Sequence, residues 1–102
     1  MVHVVAVLTT QPGERDAVLE EFAKIVPDVH AEDGCIEYQA VIDLPDVGPM
    51  QSPLGPDSYM VVEKWASLDA LKAHAAAPHM KAFGAAVGGL IVDRKVHILS
   101  AT

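Results

Sequence analysis

The chain has 102 residues, 51% of them hydrophobic, and a formal net charge of −7. Its 7 basic residues are scattered among 14 acidic ones, leaving no cationic track for a phosphate backbone and no patch for anionic lipid. Nucleic acid and membrane are therefore not expected as partners, and the single cysteine, Cys35, permits no internal disulfide.

The length suits one domain over residues 1–102. So apolar a composition exceeds what one small core absorbs, which points to a homodimer that covers the surplus. The N-terminal segment lacks the basic region and cleavage site of a secretory leader, and no apolar run is long enough to span a bilayer. A cytoplasmic location is expected.

In chain order, "VHVVAVLTT" (2–10) is a Val-rich strand ended by Pro12-Gly13. Apolar side chains on both faces mark it as a central strand. "PGERDAVLEEFAKIVPDVHAED" repeats Val18, Phe22, Ile25, Val26 and Val29 at helical spacing. Pro27 removes one ladder hydrogen bond and is expected to kink this helix or end its regular part. Gly34 closes the segment.

"CIEYQAVID" (35–43) alternates as a half-buried strand, with Ile36, Tyr38, Ala40 and Ile42 on its apolar face. "LPDVGPMQSPLGPD" (44–57) is a long loop with four prolines, a candidate lid. "SYMVVEKWA" (58–66) is the third strand, and Ser67 caps a helix through "LDALKAHAAA". Pro78 opens a further helix over 78–87, and "LIVDRKVHIL" (90–99) is the last strand. The predicted order β-α-β-β-α-α-β gives an α+β, ferredoxin-like fold. Its four-stranded antiparallel sheet carries helices on one face, and strands one and three are central.

Alternation along strand three places Tyr59, Val61, Glu63 and Trp65 on one face. If that face meets the helices, a carboxylate and an indole point toward the helix carrying His74. A buried carboxylate is costly without a partner, and His74, Lys72 or Lys81 could supply one. A helical wheel sets His74 about 60° from Leu71 and His79 about 40° from Phe83. Both are boundary positions, and the Pro78 break lets their rings converge on one cleft. The plainer roles are a packing histidine that hydrogen-bonds, a structural Glu63 and core positions for Trp65 and Tyr59.

Metal is not expected. His3 and His97 become neighbours if the first and last strands pair, but no third ligand accompanies them. No nucleotide motif is present, and Cys35 has no histidine nearby in sequence. Proton transfer in an apolar pocket remains, for which histidine is suited.

The segment "YMVVEKWASLDALKAHAAAPHMKAF", with "EEFAKIVPDVHAEDGCIEY", "QSPLGPDS" and "APHMKAF", resembles the antibiotic biosynthesis monooxygenase family over almost the whole chain. The likeness is nearest to its cofactor-free quinol monooxygenases. The resemblance implies a dimeric α+β barrel joined sheet to sheet, with a pocket between sheet and helices in each protomer. It implies oxygenation of a quinol or other reduced aromatic by molecular oxygen, without metal, flavin or other cofactor.

Glu63, Trp65, His74 and His79 are the positions that match the family pattern. The resemblance does not fix their roles; the chemistry of the residues themselves suggests His74 as base, Glu63 as its orienter and His79 as oxyanion donor. Trp65, Tyr59, Phe83 and Met80 are expected as substrate-binding walls. The chain contains no asparagine, so the Asn–Trp pair of the haem-degrading relatives is absent. An isomerase of small phosphorylated molecules, marked by two basic side chains at the pocket mouth, and a non-catalytic quinone-binding dimer are the alternatives.

Overall fold

The computed structural model describes residues 1–102. The elements are β1 (Val2–Thr10), α1 (Arg15–His30), β2 (Cys35–Val41), β3 (Ser58–Trp65), α2 (Leu68–Ala75), α3 (Pro78–Val87) and β4 (Ile91–Leu99). They form one four-stranded antiparallel sheet in the order β2-β3-β1-β4, with β3 and β1 central as expected.

Alternation decides which side chains meet the helices. Val4, Ala6, Leu8 and Thr10 of β1 and Tyr59, Val61, Glu63 and Trp65 of β3 are all buried. They pair across the two strands in rows, Leu8 with Tyr59, Ala6 with Val61 and Val4 with Glu63. From α1, Val18, Phe22, Ile25 and Val29 descend on them, and Phe22 stacks on Tyr38 with ring centroids 5.2 Å apart. The opposite sheet face, with Val5, Val7, Met60 and Val62, is only half-buried.

Three local expectations need correction. Pro27 does not end α1, which continues to His30, since a proline in the last turn forfeits only one ladder hydrogen bond. In β2, Tyr38 is buried but Ile36 and Ile42 are 52% and 47% exposed. Pairing with β3 shifts register between Cys35 and Glu37, which takes Ile36 out of the simple alternation. His3 and His97 share a face but are diagonal, since His3 pairs with Leu99 and His97 with Val5.

The 44–57 loop is tied down at its ends. Asp43 accepts from the backbone N–H groups of Leu54 and Gly55, and Arg15 Nη1 donates to the carbonyls of Gly55 and Ser58. These two backbone donors hold the Asp43 carboxyl below its usual range. The segment contains one 3-10 turn, Gly48–Met50.

Candidate active site

The turn from α1 into β2 is fixed by Gly34, whose φ of +82° suits a residue without a side chain. A Cβ there would lie 2.6 Å from that of Ala70, so α2 packs directly on this glycine. The Gly34 carbonyl also accepts from Ala66 N–H at 2.8 Å, just before the Ser67 cap whose hydroxyl receives Ala70 N–H. This close approach brings Glu32, in the turn that follows α1, against the last turn of α2 and the first turn of α3.

A carboxylate–imidazole trio results. Oε2 of Glu32 accepts from Nδ1 of His74 at 2.8 Å and from Nε2 of His79 at 2.9 Å. The side chains are 14%, 6% and 23% exposed respectively, so all three are well shielded from water. A carboxylate can only accept here, which places the His74 proton on Nδ1 and leaves Nε2 as its basic nitrogen. His74 and His79 do meet, but on Glu32 and not on the one cleft expected, which His74 lines and His79 does not.

Glu63 has a different partner from the one expected. Its Oε1 accepts from the indole Nε1–H of Trp65 at 2.9 Å, and both residues are buried. Burial pushes the Glu63 carboxyl up, and the indole hydrogen bond and the His74 and Arg94 charges offset this in part. Trp65 in turn lies against the His74 ring, with centroids 4.6 Å apart, and Tyr38 meets the same imidazole edge-on at 5.3 Å. His74 is thus held at one nitrogen by Glu32 and on its sides by two aromatic rings.

A cavity of about 790 Å³ opens between sheet and helices. Glu63, His74, Tyr59, Phe83 and Met80 line it, five of the seven expected site residues. Trp65 and His79 stand behind the wall, Trp65 fully buried and His79 at Glu32. No residue of the 44–57 loop borders the cavity, because its anchors hold it beside the β1–α1 turn, so the lid expectation is not met. Burial raises the Tyr59 hydroxyl to about 12, with Arg94 pulling the other way. A second groove of about 650 Å³ lies between α1 and β2. Its His30 donates through Nε2 to the Tyr38 carbonyl and, unlike His74, has no carboxylate hydrogen-bonded to it to stabilise an imidazolium.

Two lining or supporting groups lie outside the sequence expectations: Glu32 and Arg94. Glu32 had one legible signal, an acidic pair at a helix C-terminal end, where the dipole disfavours negative charge unless a cation or donor compensates. Arg94 had none, since "VDRKV" reads as a solvated edge. The ligand atoms of Glu32, His74 and His79 lie within 4.8 Å of one another, close enough for a metal ion. Yet the separations of 2.8 and 2.9 Å are those of hydrogen bonds. Two ligands at zinc distances and tetrahedral angles stand about 3.3 Å apart.

The family description "Antibiotic biosynthesis monooxygenase" matches residues 1–86. "Probable quinol monooxygenase YgiN" of Escherichia coli K12 is 43% identical over 101 residues, spanning 97% of this chain and 96% of that protein. Among solved structures, PA3566 from Pseudomonas aeruginosa superposes with a TM-score of 0.81 at 24% identity, covering 99% of this chain and 93% of that one. Rv0793 from Mycobacterium tuberculosis gives 0.80 at 24% identity, covering 99% and 94%. These two share the fold.

Proposed function

Because the chain belongs to the antibiotic biosynthesis monooxygenase family, we propose that it oxygenates a quinol or related reduced aromatic with molecular oxygen, using its own side chains for the proton transfers. The observation that carries this is the His74 imidazole in the cavity wall, with Nδ1 fixed on Glu32 and Nε2 uncommitted. A cavity of about 790 Å³ is in the range that encloses a small planar ligand.

Ground-state oxygen reacts slowly with closed-shell organic molecules, and a phenolate overcomes this by giving up one electron first. His74 Nε2 takes a hydroxyl proton from the quinol, and Glu32 stabilises the imidazolium. The quinolate passes one electron to oxygen, and the radical pair joins at a ring carbon as a peroxide. Loss of water turns that carbon into a carbonyl, which enolises to the hydroxyquinone, and the proton held by His74 leaves with the departing oxygen. Quinol plus O₂ thus becomes hydroxyquinone plus water, with one oxygen atom kept in the product. Glu63, held in neutral-favouring surroundings, faces the second substrate oxygen as a hydrogen-bond partner. The apolar walls from Tyr59, Phe83 and Met80 keep water from the charged intermediates.

His79 acts as a positioning residue through Glu32, in place of the oxyanion role expected from sequence. The isomerase alternative called for two basic side chains at the cavity, whereas the lining contains one, Arg94.

A homodimer belongs to the same reading. The uncovered sheet face has Val5, Val7, Val41, Met60 and Val62 at its centre. His3, His97, Lys95 and the Lys64–Glu37 ion pair surround them. An apolar centre with a polar rim is the anatomy of a subunit interface. Turnover of menadiol under ¹⁸O₂ tests the reaction. One labelled atom per hydroxyquinone supports it; an unlabelled quinone with hydrogen peroxide refutes oxygen insertion.

A further inference from the structure

The cavity is polar at two ends and apolar between them. At one end stand Glu63 and His74. At the other stands Arg94, the only Lys or Arg side chain in the lining. Register fixes the separation. Glu63 pairs with Val4 and Val4 with Ile98, whereas Arg94 lies opposite Leu8, which pairs with Tyr59. Arg94 is therefore four residues along the strands from the Glu63 row and two strands across, about 16 Å between Cα positions. The floor between them is Val4, Ala6, Leu8, Val61 and Val96.

This guanidinium is solvent-exposed and has no partner within the protomer. Arg94 makes none of the side-chain hydrogen bonds or ion pairs, while its neighbours Asp93 and Lys95 pair with each other at 3.8 Å. Arg94 and its same-face neighbour Val96 are both exposed at the mouth of the chamber, so the planar five-donor fork is solvated and free to meet a ligand. The partner that matches it in shape and charge is a carboxylate.

We propose that Arg94 anchors a carboxylate carried on the far end of the aromatic ligand, so that the hydroxyl to be deprotonated is presented to His74. This rests on the oxygenase reading for what happens at the His74 end, but the recognition itself is a binding property. The substrate class is then a planar, fused-ring acid with its phenolic oxygens on the ring distal to the acid. The surface charge of −7 repels such an anion at long range, an effect largely screened beyond about 8 Å at physiological salt. Selection therefore falls to the single cation at the cavity mouth.

Two air-stable probes, 6-hydroxy-2-naphthoate and 2-naphthol, separate binding from turnover by calorimetry. The wild-type protein is expected to bind the acid about 10- to 100-fold tighter than the naphthol, the size of a charge-assisted contact. Arg94→Gln is expected to shrink that preference to within about 3-fold, and Arg94→Lys to retain part of it. A wild-type protein without the preference, or a preference that survives Arg94→Gln, overturns the assignment. In parallel, oxygen uptake is measured on 1,4-dihydroxynaphthalene and on its 6-carboxylate. An Arg94-dependent binding preference without any oxygen uptake would refute the oxygenase reading and leave the carboxylate anchor standing.

Discussion

Glu32 and His74, 42 residues apart in sequence, meet at 2.8 Å through Oε2 and Nδ1, and this contact defines which nitrogen of His74 is free to act. Glu32 is a positioning residue, so its loss should slow chemistry more than binding. Glu32→Gln keeps the size and one acceptor but removes the charge. We expect kcat on menadiol to fall about 10- to 100-fold with KM within about 3-fold. His79→Ala, which removes only the second donor to Glu32, should cost less. Steady-state oxygen uptake gives both parameters, and a rise in KM with unchanged kcat would assign Glu32 to binding.

Glu63 makes stability pH-dependent. Burial raises its folded-state carboxyl above the ordinary value, so the native state holds its proton more tightly than the unfolded chain. Stability tied to that proton is full below the ordinary carboxylate range and is lost as pH rises through the raised folded value. Glu63→Gln retains an acceptor for Trp65 Nε1–H and has no charge to bury. Its melting temperature should exceed that of wild type at pH 7, and the difference should vanish near pH 4. A variant less stable at both pH values would contradict this.

Trp65→Phe tests the same carboxylate from its donor side. The ring preserves stacking on His74, but Glu63 loses its only hydrogen-bond donor. Leaving a buried acceptor unpaired costs about 1–3 kcal/mol, so denaturant midpoints should drop, and drop further at pH 7 than at pH 4. Equal losses at the two pH values would show that only packing was removed.

Gly34→Ala should disturb both fold and site. It imposes a left-handed conformation on an alanine and places a methyl 2.6 Å from Ala70 Cβ. Strain of this kind costs roughly 2 kcal/mol, which in a domain of this size lowers the melting temperature by about 8–16 °C. Calorimetry checks the value. Because α2 must back away, the Glu32–His74 contact should loosen and activity fall beyond the loss of folded protein.

The homodimer is checked by charge on the bare sheet face. Val62→Glu buries a carboxylate at the centre of the proposed interface and should give a monomer in sedimentation velocity. A dimer that persists would move the interface elsewhere.

The sequence was informative where one period governed the outcome. Period two along strand three placed Glu63 and Trp65 together on the helix side, and the Pro78 break correctly turned His74 and His79 toward each other. It was uninformative where contacts depend on long-range closure. Glu32 reaches His74 only because Gly34 lets α2 approach, a relationship no local window contains. Ile36 left the core through a register shift, which alternation alone cannot register. The 44–57 loop looked like a lid by length and proline content. Its position is set by Asp43 and Arg15, whose backbone contacts carry no sequence signature.

The central claim is that Nε2 of His74 is the base. Oxygen uptake by His74→Ala on saturating menadiol, corrected for buffer autoxidation, tests it most directly. The expected result is a kcat about 10²- to 10⁴-fold below wild type in a protein that still folds and binds the quinone. An uptake rate equal to wild type in that folded variant would contradict the account.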